Sequence, residues 1–240
     1  PLRQAIARKL RDENGIDVDP SQIIVTPGGK SALFSAILAL VGPGDDVVMF
    51  DPGWVSYEPM TTIAGAGIAR IPLDPADNYR ITREVIEPHL TPNARVLIVN
   101  SPNNPTGRVL TREELEVVAA IAQERDLIVI SDEIYEKIVY DHHQHISIAT
   151  LPGMAERTIT VNGFSKAYAM TGWRLGYLAA PAPIIKQVAK IHSHSVTCAT
   201  SFAQYGAVAA LEGPQGFIDT MVEAWDRRRR LISSGLSAIK

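Results

Sequence analysis

Two kinds of hydrophobic pattern alternate along this chain. Short, wholly apolar runs of strand length stop abruptly at polar clusters, and longer stretches repeat apolar residues at helical spacing. Leu2, Ile6 and Leu10 share one helical face, and Gly15 stands where a C-cap would. Gln22 to Thr26 predicts a short strand, Pro27-Gly28-Gly29 a turn, and Ser31 to Val41 an apolar helix. Asp46 to Phe50 and Ile68 to Ile71 predict two more strands, with a helical segment between Trp54 and Ala64. Arg95 to Asn100 is a continuous apolar strand that ends in a Pro/Asn/Gly loop. Thr111 and Glu114 form a capping box that opens a helix to Arg125. Leu127 to Ile130, Thr158 to Val161 and Arg174 to Ala179 complete the set of strands, and Trp225 to Lys240 is again helical.

Wholly apolar strands between amphipathic helices predict an α/β fold, a mostly parallel central sheet covered by helices on both faces in three α/β/α layers. In such sheets ligands bind at the carboxyl ends of the strands. The polar clusters Asn103-Asn104, Ser131-Asp132-Glu133 and Ser165-Lys166 all fall there.

Composition narrows the function classes. The chain has 240 residues, 46% of them apolar and 20% charged, with a formal net charge of −3. That balance offers no basic field for nucleic acid or an anionic membrane. The single cysteine, Cys198, excludes an intrachain disulfide and fits a reducing, cytoplasmic setting. No apolar run approaches the roughly 18 residues of a membrane span, and no signal peptide is present. Pro1 opens directly into a helical pattern and Lys240 closes inside another, so both ends read as cut from something longer.

Several local patterns carry a bland reading. Gly29-Lys30-Ser31 imitates the end of a nucleotide-binding Walker loop, but Ile24 stands where that motif requires its first glycine. His142, His143 and His145 lie in DHHQH, which predicts a solvated turn rather than a metal site. Arg227 to Arg230 predicts a solvated helix face in an acidic chain. Taken singly, Lys166 would be a surface lysine, Asp132 a helix cap, Asn104 part of a tight turn and Trp54 core.

Taken together they are more specific. The stretches VTPGGKSAL (25–33), DPGWVSYEPM (51–60), NSPNNPTG (100–107), SDEIYE (131–136) and VNGFSKAYAMTGWRLGY (161–177) resemble class I aminotransferases, of the aspartate aminotransferase fold type. The resemblance covers essentially the whole chain, and its last two motifs are the specific ones. It implies the cofactor pyridoxal 5'-phosphate and a role for each matching residue. Lys166 would form the Schiff base and move the substrate α-proton. Asp132 would pair with the protonated ring nitrogen, keeping the ring an electron sink. Tyr135 and Asn104 would hydrogen-bond the ring oxygen, and Trp54 would stack on the ring. Gly29 and Lys30 would offer backbone N–H groups to the phosphate, with Ser165 and the forked guanidinium of Arg174 beside them.

The resemblance also implies what residues 1–240 do not hold. It places the arginine that grips the substrate α-carboxylate in a C-terminal small domain beyond Lys240. A covering N-terminal segment would precede Pro1, together with a tyrosine that reaches the neighbouring subunit of a homodimer. Residues 1–240 would then be the cofactor-binding large domain, truncated at both ends. The implied reaction moves an amino group from an L-amino acid, aspartate or aromatic, to a 2-oxo acid such as 2-oxoglutarate. Same-fold alternatives are a carbon–sulfur β-lyase, an aminocyclopropane-carboxylate synthase, or the aminotransferase-like domain of a transcription regulator.

Overall fold

The computed structural model describes residues 1–239. Seven strands form one sheet: β1 (Ile23–Thr26), β2 (Asp46–Asp51), β3 (Gly67–Pro72), β4 (Ala94–Asn100), β5 (Ile128–Asp132), β6 (Thr158–Gly163) and β7 (Gly176–Ala179). Their order across the sheet is β1-β7-β6-β5-β4-β2-β3. Every neighbouring pair from β6 to β3 is parallel, while β7 runs antiparallel to both β6 and β1. The predicted mostly parallel sheet is therefore the observed one.

Helices cover both faces, and the strand period of two sorts side chains between them. Val47 and Met49 of β2, with Val96 and Ile98 of β4, join one core cluster against helix α2 (Gly29–Leu40) and α3 (Tyr57–Ile63). The intervening Val48, Phe50, Leu97 and Val99 join the opposite cluster, with α4 (Arg83–Ile86) and α5 (Arg112–Glu124). Near the β7 edge, Tyr177 and Ala179 pack on α1 (Leu2–Asn14) and α7 (Ser201–Glu212), while Leu178 faces the α2 side with α6 (Ala182–Ser195). The capping box of α5 is present, Thr111 and Glu114 each accepting the other's backbone N–H. Gly15 caps α1 in the left-handed conformation, φ 70°.

Three expectations shift. The last helix, α8, spans Gly216–Ser237 and so begins well before Trp225; Lys240 lies outside the described residues. Its arginines do not simply face solvent. Arg229 and Arg230 both pair with Asp226 one turn back and with Asp141 of the 140s loop. The third shift concerns Arg174. It is not the first residue of a strand but lies in a left-handed turn, φ 53°, two residues before β7 begins.

Candidate active site

At the carboxyl ends of the parallel strands lies an open cleft of about 730 Å³, its solvent-filled mouth included. Gly29, Lys30, Trp54, Asn104, Asp132, Tyr135, Ser165, Lys166 and Arg174 all line it. The fold thus brings every residue singled out from the sequence to one place. They come from the first turn of α2, the loops after β2, β4 and β6, the end of β5 and the turn just beyond it, and the turn that leads into β7.

The cleft is electrically lopsided. Lys30, Lys166 and Arg174 face it, and Asp132 is the one acid among its lining residues. Among the described residues none of these three cations forms an ion pair. The N-terminus of α2, with its outward N–H groups and no acidic residue in its first turn, adds partial positive charge. Arg174 is held against that helix end. Its guanidinium donates to the Thr171 carbonyl at 2.9 Å and fills the space that a Cβ on Gly28 would need. Gly28 has φ +86°, and Gly176 must lack a Cβ because the Gly28–Gly29 backbone passes directly over it. Two glycines therefore allow the helix end and the guanidinium to meet at one positively charged corner.

Asp132 ends β5 and is only 5% exposed. Tyr57 donates its hydroxyl to Asp132 Oδ2 at 2.7 Å, and the Ile134 amide donates to Oδ1 at 3.3 Å. Burial pushes the carboxyl up to about 6; the two hydrogen bonds oppose that shift and the nearby Glu133 adds to it. Burial, with the Asp132 charge behind it, drives the Tyr57 hydroxyl far above its ordinary value, so it stays a donor. The carboxylate thus lacks a cation, and a protonated ring nitrogen is the group that would supply one.

Asn104 and Tyr135 meet across the cleft, Asn104 Nδ2 donating to the Tyr135 oxygen at the 3.5 Å limit. The Lys166 ammonium lies 5.5 Å from the centre of the Tyr135 ring, and the Lys30 ammonium lies 4.9 Å from that of Trp54.

Two contributors escaped the sequence reading. Tyr57 has just been described; it also meets Trp54 edge-on, with ring centres 5.4 Å apart. Asn100 ends β4, donates to the Asp132 carbonyl at 2.9 Å and accepts the Asn104 amide at 2.7 Å, so it braces two cleft residues at once. Its place as the polar end of an apolar strand was the available signal. The histidine reading is corrected in part. His142 and His143 are exposed in a turn, but His145 is half-buried with its imidazole largely covered, Nε2 lying 3.0 Å from Glu133 Oε2. That contact takes it out of solvent, whatever the polarity of its neighbours.

Known proteins share both the sequence and this geometry. An aspartate aminotransferase from Musicola paradisiaca is 48% identical over 99% of this chain and 60% of its own length. An aspartate/prephenate aminotransferase from Thermus thermophilus is 43% identical over 99% of this chain and 62% of its own. Among solved structures, an aromatic aminotransferase from Pyrococcus horikoshii superposes with a TM-score of 0.95 at 44% identity, covering 98% of this chain and 64% of that one. The chain spans about 60% of the length of the curated relatives it matches. The family model for aminotransferase class I and II matches residues 1–240 from end to end, and with a lysine, a buried acid and an anion corner meeting in one cleft, the chain belongs to that family.

Proposed function

We propose that this protein is a pyridoxal-phosphate-dependent aminotransferase, moving an amino group from an L-amino acid, aspartate or aromatic, to a 2-oxo acid such as 2-oxoglutarate. The observation that carries the reading is the distribution of charge in the cleft: two separate demands, for an anion and for a buried cation, in the same cleft as Lys166. Pyridoxal phosphate answers both, with a phosphate dianion and a protonated pyridine nitrogen.

Each residue then has a task. The Gly29 and Lys30 amides, Ser165 and Arg174 would hold the phosphate. Asp132 would pair with the ring nitrogen, Asn104 and Tyr135 with the ring oxygen, and Trp54 with the ring face. Lys166 Nζ would hold the cofactor covalently and, once released, carry the proton to and from the substrate α-carbon. Bound in this way, the cofactor supplies a carbonyl carbon for the amine and a ring that accepts an electron pair.

Residues 1–240 form the cofactor-binding large domain in this reading. An arginine outside them would grip the α-carboxylate, orienting the amine for attack. The cytoplasm is the setting proposed, with Cys198 a free and exposed thiol; fractionation of the native cells would locate it. No helix among the described residues is long and apolar enough to cross a membrane.

Product analysis on the complete protein tests the reaction. With aspartate or phenylalanine and 2-oxoglutarate, the expected products are the matching 2-oxo acid and glutamate. Pyruvate with ammonia and a thiol, from a sulfur amino acid, would show a lyase instead. Assembly is expected to be a homodimer with its active sites at the subunit boundary. Sedimentation over a dilution series would report it, and a persistent, fully active monomer would contradict it.

A further inference from the structure

The turn that carries Asp132 has two faces. Along β5 and just beyond it, Asp132 and Tyr135 line the cleft, while Ser131, Glu133 and Glu136 are buried behind it. The turn itself is short and closed, with the Glu136 amide bonded to the Glu133 carbonyl at 2.9 Å and the Glu133 amide to the Val161 carbonyl at 2.9 Å.

The hidden face is an ionic cluster. Glu133 is fully buried and accepts Ser131 Oγ at 2.9 Å, Ser147 Oγ at 2.6 Å and His145 Nε2 at 3.0 Å. Glu136 accepts the Lys9 ammonium and Asn14 Nδ2, the latter at 2.6 Å. Lys137 pairs with Glu13 at 2.7 Å. Glu13, Glu133 and Glu136 thus meet Lys9, Lys137 and His145, and the cluster is neutral when His145 is charged. Burial opposes the charged imidazolium, but Glu133, with Glu136 behind it, more than offsets this and raises His145 above its ordinary value.

Glu133, Glu136 and His145 have the makeup of a metal site, their ligand atoms lying within 4.8 Å of one another. However, Lys9 already supplies a cation to Glu136 and two serine hydroxyls occupy Glu133, so the protein has furnished the partners a metal would otherwise provide.

We propose that Glu133 and His145 are positioning residues for the reaction: by clamping the turn to the 145–147 segment, beside the tie that Glu136 makes to α1, they hold Asp132 and Tyr135 at the spacing the cofactor ring requires. This rests on the pyridoxal-phosphate reading above. On the cleft side Asp132 and Tyr135 are held by the Tyr57 hydroxyl, the Ile134 amide, the long Asn104 contact and the Asn100 amide on the Asp132 carbonyl. The turn's buried side-chain anchors are those of Glu133 and Glu136.

The test compares His145→Ala with His145→Gln in the complete protein. A glutamine amide can reach the place of imidazole Nε2 and still donate to Glu133. Three quantities are read: amide exchange of residues 132–138 without cofactor, the dissociation constant for pyridoxal phosphate, and the melting temperature. A hydrogen bond to a buried charge is worth enough that His145→Ala should speed exchange in 132–138 and weaken cofactor binding by about tenfold or more, while His145→Gln stays within about threefold. Exchange in α2 should not change. Both variants melting lower with cofactor affinity intact would mean that the cluster only stabilises the fold, and would overturn the proposal. Should His145→Ala fail to fold, Ser147→Ala removes a single donor from Glu133, and the same two readings should move in the same direction by a smaller amount; unchanged readings would overturn it. Failure of the unmodified protein to bind pyridoxal phosphate would sink the functional reading and the cofactor role of the clamp with it. Exchange in 132–138 would still report separately whether the cluster holds the turn.

Discussion

Replacing Lys166 with alanine in the complete protein is expected to abolish covalent attachment of pyridoxal phosphate and to lower transamination by about a thousandfold or more. The loss combines two tasks, because a positioned proton carrier alone contributes roughly 10²–10⁴-fold. Non-covalent binding should persist, since Arg174 and the α2 N-terminus are untouched. Structure singles out Lys166 from its rivals. Lys137 is ion-paired with Glu13, away from the cleft. Lys30 lines the cleft but is exposed, over the Trp54 ring. Lys166 is half-buried beside the Tyr135 ring, with no acid holding its ammonium. Borohydride reduction followed by peptide mapping checks the assignment. Label on Lys30 or Lys137, or substantial turnover by Lys166→Ala, would overturn it.

What could be read from the chain, and what could not, follows from the range of the interactions involved. β4, β5 and β6 are buried on both faces; β4 and the start of β5 are apolar runs that need no partner to be recognised, and β6 sets only threonines between its apolar residues. The cleft residues follow those runs directly, which is why Asp132, Lys166 and Asn104 were visible. Tyr57 was not, because its meaning lies in a hydroxyl bonded to a residue 75 positions away, and no local pattern encodes that pairing. His145 was misjudged for a related reason. Its neighbours in DHHQH are solvated, and only the approach of Glu133 from another segment makes it a buried imidazole. Helices α6 and α7 lay outside the sequence reading. α7 buries only Ala203 and Ala207 and shows no broad apolar stripe, whereas α6 repeats Ile184, Ile185, Val188 and Ile191 at helical spacing, a pattern that was there to be read. Arg174 lines the cleft, but its backbone is not the strand start that the sequence suggested. The run after it is apolar, yet the guanidinium can meet Gly28 only because residue 174 turns in the left-handed region.

Exchange of Asp132 for asparagine is expected to make the cofactor-free protein more stable and the cofactor-bound enzyme worse. In the free protein this carboxyl is buried with a hydroxyl and an amide for partners and no cation, and its value rises from 3.8 to about 6. The folded state therefore holds its proton more tightly than the unfolded chain does. The stability this provides is complete below about pH 4 and is lost as the pH climbs through about 6, a change on the order of 3 kcal/mol. Asparagine cannot ionise, so Asp132→Asn should lack this decline, and its advantage over the unmodified protein should appear above pH 6. Pyridoxal phosphate reverses the comparison, because a protonated ring nitrogen compensates the buried carboxylate. Removing that pair should weaken cofactor retention by roughly 1.5–3 kcal/mol. It should also slow α-proton removal by more than the loss of binding explains, since the ring is then a poorer electron sink in the transition state. Tyr57→Phe serves as the control: loss of its hydrogen bond should raise the Asp132 value further and move the decline to higher pH. Melting curves of the cofactor-free proteins from pH 4 to 8, paired with single-turnover proton abstraction, read both halves. Parallel pH profiles for Asp132→Asn and the unmodified protein would show that the carboxylate is not left uncompensated. Near-normal proton abstraction would show that it is structural. Both outcomes together would describe an acid kept at a cost to the free protein because a bound cofactor needs it charged.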